Sequence, residues 1–111
     1  MAGEGSTVIG KSIQVRGEVS GSEDVVVHGV LEGVLALKES RLTVGSGATV
    51  SAELNVHDAI LLGDVKGNII ATGRVELRKG ASLQGDVTAA RLSIEEGSGF
   101  QGRVALTGTK E

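Results

Sequence analysis

The sequence predicts an all-β, single-domain β-helix (β-solenoid) with about 16 to 17 residues per coil, and three observations carry that prediction. Apolar and polar residues alternate in short runs such as Ile13-Gln14-Val15, Leu42-Thr43-Val44, Val75-Glu76-Leu77 and Leu92-Ser93-Ile94, the period of a strand with one buried face. The runs recur steadily: their opening residues Val25, Leu42, Ala59, Val75 and Leu92 are separated by 17, 17, 16 and 17 positions. The 111-residue chain also holds 18 Gly, no Pro, no Trp, no Tyr and one Phe. Glycine at that density weakens a helix by roughly 1 kcal/mol per site but suits a chain that turns repeated corners.

The elements follow in order. A partial first coil is drawn from Val8, Ile9, Ile13, Val15 and Val19. Each later coil opens with its alternating pair, then places an apolar residue, a second one four positions on, and a third two beyond that. The sets are Leu31/Leu35/Leu37, Val50/Leu54/Val56, Val65/Ile69/Ala71, Leu83/Val87/Ala89 and Phe100/Val104/Leu106. Between the first and second member stands a small residue, Gly33, Ala52, Gly67, Gly85 or Gly102, as expected at a corner where stacked backbones approach closely. The link from opening pair to first slot is four residues after Val27 and Leu61 and six after Val44, Leu77 and Ile94. Gly45-Ser46-Gly47, Lys79-Gly80 and Glu96-Gly97 fill the longer links and predict turns there. No unit can bury a face alone, so winding the chain to stack coils about 4.8 Å apart is the solution that hides the apolar residues.

Outward positions agree with this register. The residues preceding the opening pairs are Asp24, Arg41, Asp58, Arg74 and Arg91, so three of the four successive neighbours are of opposite charge, as a cross-strand ladder prefers. Asp86 and Arg103 form a similar expected pair.

Composition excludes several classes of function. With 11 Lys and Arg against 14 Asp and Glu, a net charge of −3 and a single aromatic residue, the chain offers neither a basic run nor a base-stacking platform, and nucleic acid is not an expected ligand. The absence of Cys excludes disulfides, thiolate metal sites and thiol catalysis. Met1 to Ser6 lack the charged and apolar segments of a signal peptide, and no stretch approaches the ~20 apolar residues of a membrane span. A soluble cytoplasmic protein is expected, with a short flexible N-terminus (1–6), a β-helix domain (7–107) and a short C-terminal tail (108–111).

Chemistry-bearing motifs are few. His28 and His57 fall at different positions of their repeats, where an acyltransferase would need a His as general base and a metal hydrolase about three converging ligands. The internal steps of two, four or six residues also differ from a strict hexapeptide repeat. Glu23-Asp24 and Glu95-Glu96 read as solvated turn residues. Gly5-Ser6-Thr7-Val8-Ile9-Gly10-Lys11-Ser12 satisfies the written Walker pattern, but a phosphate loop requires a preceding strand and a following helix, and Ile13-Gln14-Val15 alternates as a strand. No catalytic, cofactor-binding or metal-binding residue and no cofactor is therefore expected. The competing reading is an enzyme or small-ligand-binding module on a β-helix, similar to the hexapeptide acyltransferases, with convergent polar residues on one face.

The ends of such a rod pose their own problem, because a solenoid exposes the core and open strands of its terminal coils unless they are capped. No capping helix is evident, so end-to-end assembly is expected. The candidate contacts are Leu92, Ile94, Phe100, Val104 and Leu106 at the C-terminal end and Val8, Ile9, Ile13, Val15 and Val19 at the N-terminal end. Val26, Val30, Val34, Ile60, Leu62 and Ile70 fall at positions expected to point outward and are candidates for lateral or client contacts.

Several ordered segments carry a family resemblance: Val27-His28-Gly29-Val30-Leu31-Glu32-Gly33, Gly73-Arg74-Val75-Glu76-Leu77-Arg78-Lys79-Gly80-Ala81, Gly85-Asp86-Val87, Leu92-Ser93-Ile94-Glu95-Glu96-Gly97 and Phe100-Gln101-Gly102. From Thr7 to Leu106 the chain resembles the bactofilins, bacterial cytoskeletal proteins. The resemblance implies a right-handed β-helix of triangular cross-section that polymerises end to end without nucleotide into non-polar filaments. Such filaments support cell shape or localise wall-modifying proteins. It further implies that Phe100, matching a terminal-coil aromatic of the family, contributes to the polymer contact. Expected partners are the chain itself, paralogous family members and cell-wall-related proteins. Many members carry an apolar, often basic N-terminal segment for membrane attachment, whereas Met1 to Ser6 are small and acidic; direct membrane binding is not expected, and any place at the inner membrane face would come through partners.

Overall fold

The computed structural model describes residues 6–21 and 24–107. Among these the chain forms thirteen strands and no helix. They are β1 (Ser6–Ile9), β2 (Gln14–Ser20), β3 (Asp24–Val27), β4 (Val30–Val44), β5 (Thr49–Leu61), β6 (Asp64–Lys66) and β7 (Ile69–Ala71), then β8 (Arg74–Leu77), β9 (Ser82–Gln84), β10 (Val87–Ala89), β11 (Arg91–Ile94), β12 (Gly99–Gln101) and β13 (Val104–Leu106). Of the expected tails, 1–6 and 108–111, residues 1–5 and 108–111 lie outside the described part, and Ser6 opens β1.

Every strand pairing is parallel and joins one coil to the next, which makes the fold a β-solenoid of about six turns with three faces. The predicted period is the observed register: Val25 pairs with Leu42, Leu42 with Ala59, Ala59 with Val75 and Val75 with Leu92. A second inward column runs Val15, Leu31, Val50, Val65, Leu83, Phe100. The third runs Val19, Leu35, Leu54, Ile69, Val87, Val104. Between their ends these columns are sealed from solvent. Each such Val, Leu or Ile contributes about 1.5–3 kcal/mol through removal of apolar surface from water. The two long strands, β4 and β5, continue through a corner that ends the strands of other coils, with a register irregularity between Leu37 and Arg41.

The small-residue corner behaves as its spacing implies. Gly33, Gly67, Gly85 and Gly102 have φ of 127°, 131°, 138° and 144°, and a Cβ on each would run into the backbone carbonyl of the residue one coil below, Gly17, Ala52, Gly67 and Gly85 respectively. Only a residue without Cβ tolerates both the backbone angle and the approach. At the opposite corner the longer links close as turns, Ala48 N–H donating to Gly45 O (3.0 Å) and Ala81 N–H to Arg78 O (3.0 Å).

The charged ladder is realised in part. The backbone N–H of Arg41 donates to Asp24 Oδ1 and that of Arg74 to Asp58 Oδ1, both at 2.9 Å, while the Arg41 guanidinium lies 3.9 Å from Asp58. Among the described residues Asp86 and Arg103 form no ion pair; Asp86 N–H instead donates to Asn68 Oδ1 at 3.4 Å.

Candidate functional site

The two ends of the solenoid are where burial fails. At the C-terminal end the last layer is built by β11, β12 and β13, and each pairs on one side alone, with β8, β9 and β10. Among the described residues its inward side chains therefore have a neighbour below and none above. Leu92 and Phe100 pack against the core but stay half-buried, while Ile94, Val104 and Leu106 are 51%, 39% and 58% exposed. Phe100 occupies the top of the column Val15–Leu31–Val50–Val65–Leu83.

The N-terminal end is built by β1 and β2, which pair on one side with β3 and β4. Val15 and Val19 cap their columns half-buried, and Ile9 is buried against Val27 in the register. Ile13 sits where the turn closes, its N–H donating to Gly10 O, the place held by buried Ala48 and Ala81 in other coils; with no coil beyond it among the described residues, Ile13 is 48% exposed. Val8 differs from the expected placement. It pairs with Val26, and Thr7 and Ile9 take the inward positions opposite Val25 and Val27, so Val8 belongs to an outward column on the side of the rod. In a strand, two adjacent residues cannot both face the core.

The expected lateral residues do not assemble into one stripe. Val26 and Ile60 share an outward column but are separated by Thr43. Val30 lies in another column between Gln14 and Thr49, Val34 between Glu18 and Glu53, and Ile70 between Asn55 and Thr88. Leu62 comes near Ile60 at the edge of a shallow cleft.

The chemistry-bearing residues stay apart. His28 stands over Gly45 at one corner; His57 stands at another, its Nδ1 2.8 Å from Thr72 Oγ1. Among the described residues no group of three or more His, Cys, Asp or Glu is placed to hold a metal ion. Glu95 accepts the backbone N–H of Lys79 at 2.9 Å, and Glu23 lies outside the described residues. The Walker-like run continues from β1 through a turn into β2, so strand stands where a phosphate loop requires helix. No helix among the described residues is long and apolar enough to cross a membrane.

Among the described residues both ends leave apolar side chains and strand edges unpaired, and an unpaired edge is a template for a further strand. Residues 7–105 match the family model "Bactofilin: Polymer-forming cytoskeletal". The chain is 42% identical over 101 residues to the bactofilin BacO of Myxococcus xanthus, covering 91% of this chain and 79% of that protein. It is also 42% identical over 101 residues to BacP of the same organism, covering 91% of this chain and 42% of BacP, and 37% identical over 51 residues to BacN, covering 46% and 44%. No solved structure matches the chain significantly. The matched region is the whole solenoid, first coil to last, and the chain belongs to the bactofilin family of polymer-forming cytoskeletal proteins.

Proposed function

We propose that this protein is a non-enzymatic scaffold subunit that polymerises end to end without nucleotide into non-polar filaments, which support cell shape or localise cell-wall-related proteins in the cytoplasm. The observation that supports this reading best is the failure of burial at both ends of an otherwise sealed core: Leu92, Phe100 and Val104 at one end, Val15 and Val19 at the other. Stacking a second subunit on either end hides apolar surface and pairs strand edges in one step. The cost of leaving those edges open is what drives assembly, so no hydrolysable cofactor is needed. Paralogous bactofilins, which match this chain over as many as 101 residues, would fit the same ends, which makes co-assembly the natural route to mixed filaments; through such partners the filaments reach the inner membrane face.

The test is negative-stain electron microscopy of purified protein without nucleotide, with Phe100→Arg beside the parent. Filaments of the parent that are lost in a variant retaining its β-sheet circular dichroism support the reading. Discrete small particles of the parent at all salt and protein concentrations overturn it.

A further inference from the structure

The alternating ladder at the third corner breaks once. Asp24, Arg41, Asp58 and Arg74 alternate in sign, and the next residue is Arg91, which lies directly beside Arg74 in the register. Like charges directly opposite one another are destabilising. Arg16, Arg41, Arg74 and Arg78 each lie within ion-pair distance of a carboxylate; among the described residues Arg91 and Arg103 have no such partner, and Arg91 is the one that stands in register beside another Arg. Its N–H, with that of Ala90, donates to Gly73 O, whereas the Arg41 and Arg74 N–H groups are held by Asp side chains.

This mismatch opens onto a cleft of about 330 Å³ walled by Arg41, Asp58, Ile60, Arg74, Glu76 and Arg91, near the lower end of the volumes that hold a small ligand. Gly73 and Ala90 complete its lining. Ile60 is shared with a second cleft lined by Leu62, Arg78, Lys79 and Glu95. Together the two carry five cationic side chains (Arg41, Arg74, Arg78, Lys79, Arg91) against three carboxylates (Asp58, Glu76, Glu95), a local excess of two positive charges on a chain whose net charge is −3.

We propose that this face docks an acidic, partly apolar peptide segment of a partner protein in extended form. A carboxylate seats between Arg74 and Arg91 and an apolar neighbour lies against Ile60 and Leu62. Guanidinium groups bind carboxylates in a planar, two-pronged geometry that Lys cannot supply, and the Ile60 and Leu62 wall favours a ligand with an apolar side chain over a bare anion. Arg91 lies on β11 in the last layer, one residue before Leu92, but it continues the outward position of Arg74 rather than the inward columns that end at Leu92, Phe100 and Val104.

The experiment is fluorescence anisotropy with a short labelled peptide of alternating glutamate and leucine, titrated with the full chain, beside a lysine–leucine peptide and phosphatidylglycerol vesicles. The glutamate peptide should bind saturably, and Arg91→Glu should weaken it by about tenfold or more, the loss of a charge-assisted hydrogen bond. Lys66→Glu makes the same change of charge on another face, in the column of Ser51 and Gln84, and should leave binding intact. Equal weakening by both variants, equal binding of the lysine peptide, or binding of the vesicles in place of the peptide overturns the proposal. Sedimentation of filaments in parallel separates this site from the end contact: Arg91→Glu should still pellet with the parent, and loss of assembly in that variant would assign Arg91 to the subunit junction instead.

Discussion

Leu83 and Phe100 are in-register neighbours in one inward column, yet Leu83 is fully buried and Phe100 only half-buried. The difference is one missing layer. A residue with the next coil above it stabilises the subunit, and a residue without it has apolar surface left for the proposed end contact.

Truncation should therefore separate the two roles. Leu83→Ala leaves a cavity in a sealed core and should cost about 2–5 kcal/mol of subunit stability. Phe100→Ala removes a larger side chain but should cost the subunit less, while raising the protein concentration needed for filaments. Urea unfolding below that concentration, paired with sedimentation above it, measures both; equal loss of subunit stability in the two variants would place Phe100 in the subunit core alone.

Glycine at the small-residue corner gives a sharper contrast. At Gly85, φ is 138° and a Cβ would meet the Gly67 carbonyl, so Gly85→Ala should destabilise by about 1–3 kcal/mol. A Cβ added at Gly21 would meet nothing within 4 Å, and the backbone there has no left-handed φ, so Gly21→Ala should shift stability by no more than about 0.5 kcal/mol. Thermal melts of the two variants check the difference, and a harmless Gly85→Ala would mean that the coils are free to spread at this corner.

Asp58 holds two partners, one in the next coil and one in the coil before it: it accepts the Arg74 N–H at 2.9 Å and faces the Arg41 guanidinium at 3.9 Å. The first is a charge-assisted bond to backbone and the second a partly exposed ion pair of small value. Asp58→Ala should cost about 1–2 kcal/mol, whereas Asp58→Asn retains an acceptor oxygen and should recover most of that loss. If Asn is as costly as Ala in urea midpoints, the ion pair rather than the backbone bond carries the stability.

Much of this architecture was legible because in-register stacking copies each inward position into the next coil. The spacing of Val25, Leu42, Ala59, Val75 and Leu92 reproduces a column of spatial neighbours, and the glycine corner is readable for the same reason. The first coil was less legible because Thr7 fills the inward slot opposite Val25; a polar residue there hides the alternation and makes Val8 look like core. Its signal is the six-residue step from Ile9 to Val15, the same as from Val44 to Val50, which fixes Ile9 as inward and Val8 as outward. Outward apolar residues were harder still, since nothing forces the solvent side of a coil to repeat. Val30, Val34 and Ile70 therefore fall in separate columns flanked by polar residues. The pairing of Arg74 with Arg91 was visible as a break in the ladder, but the cleft beside it gathers residues from Arg41 to Arg91, which only the stacked coils bring together.

Salt should discriminate the forces at the ends. The terminal layers expose Ile94, Val104 and Leu106 at one end and Ile13 at the other, so the proposed end contact would be governed by removal of apolar surface from water rather than by charge. Sulfate, which is excluded from protein surfaces, strengthens such burial, whereas sodium chloride at high concentration screens exposed charge pairs within a few ångströms. Filament yield by sedimentation should rise with sodium sulfate and persist in concentrated sodium chloride. Filaments that dissolve as sodium chloride is raised would show that charged groups, not the columns ending at Phe100 and Val15, hold the subunits together. The same titration on Phe100→Arg should show assembly weakened at every salt concentration, because the buried guanidinium would lack a partner at the junction.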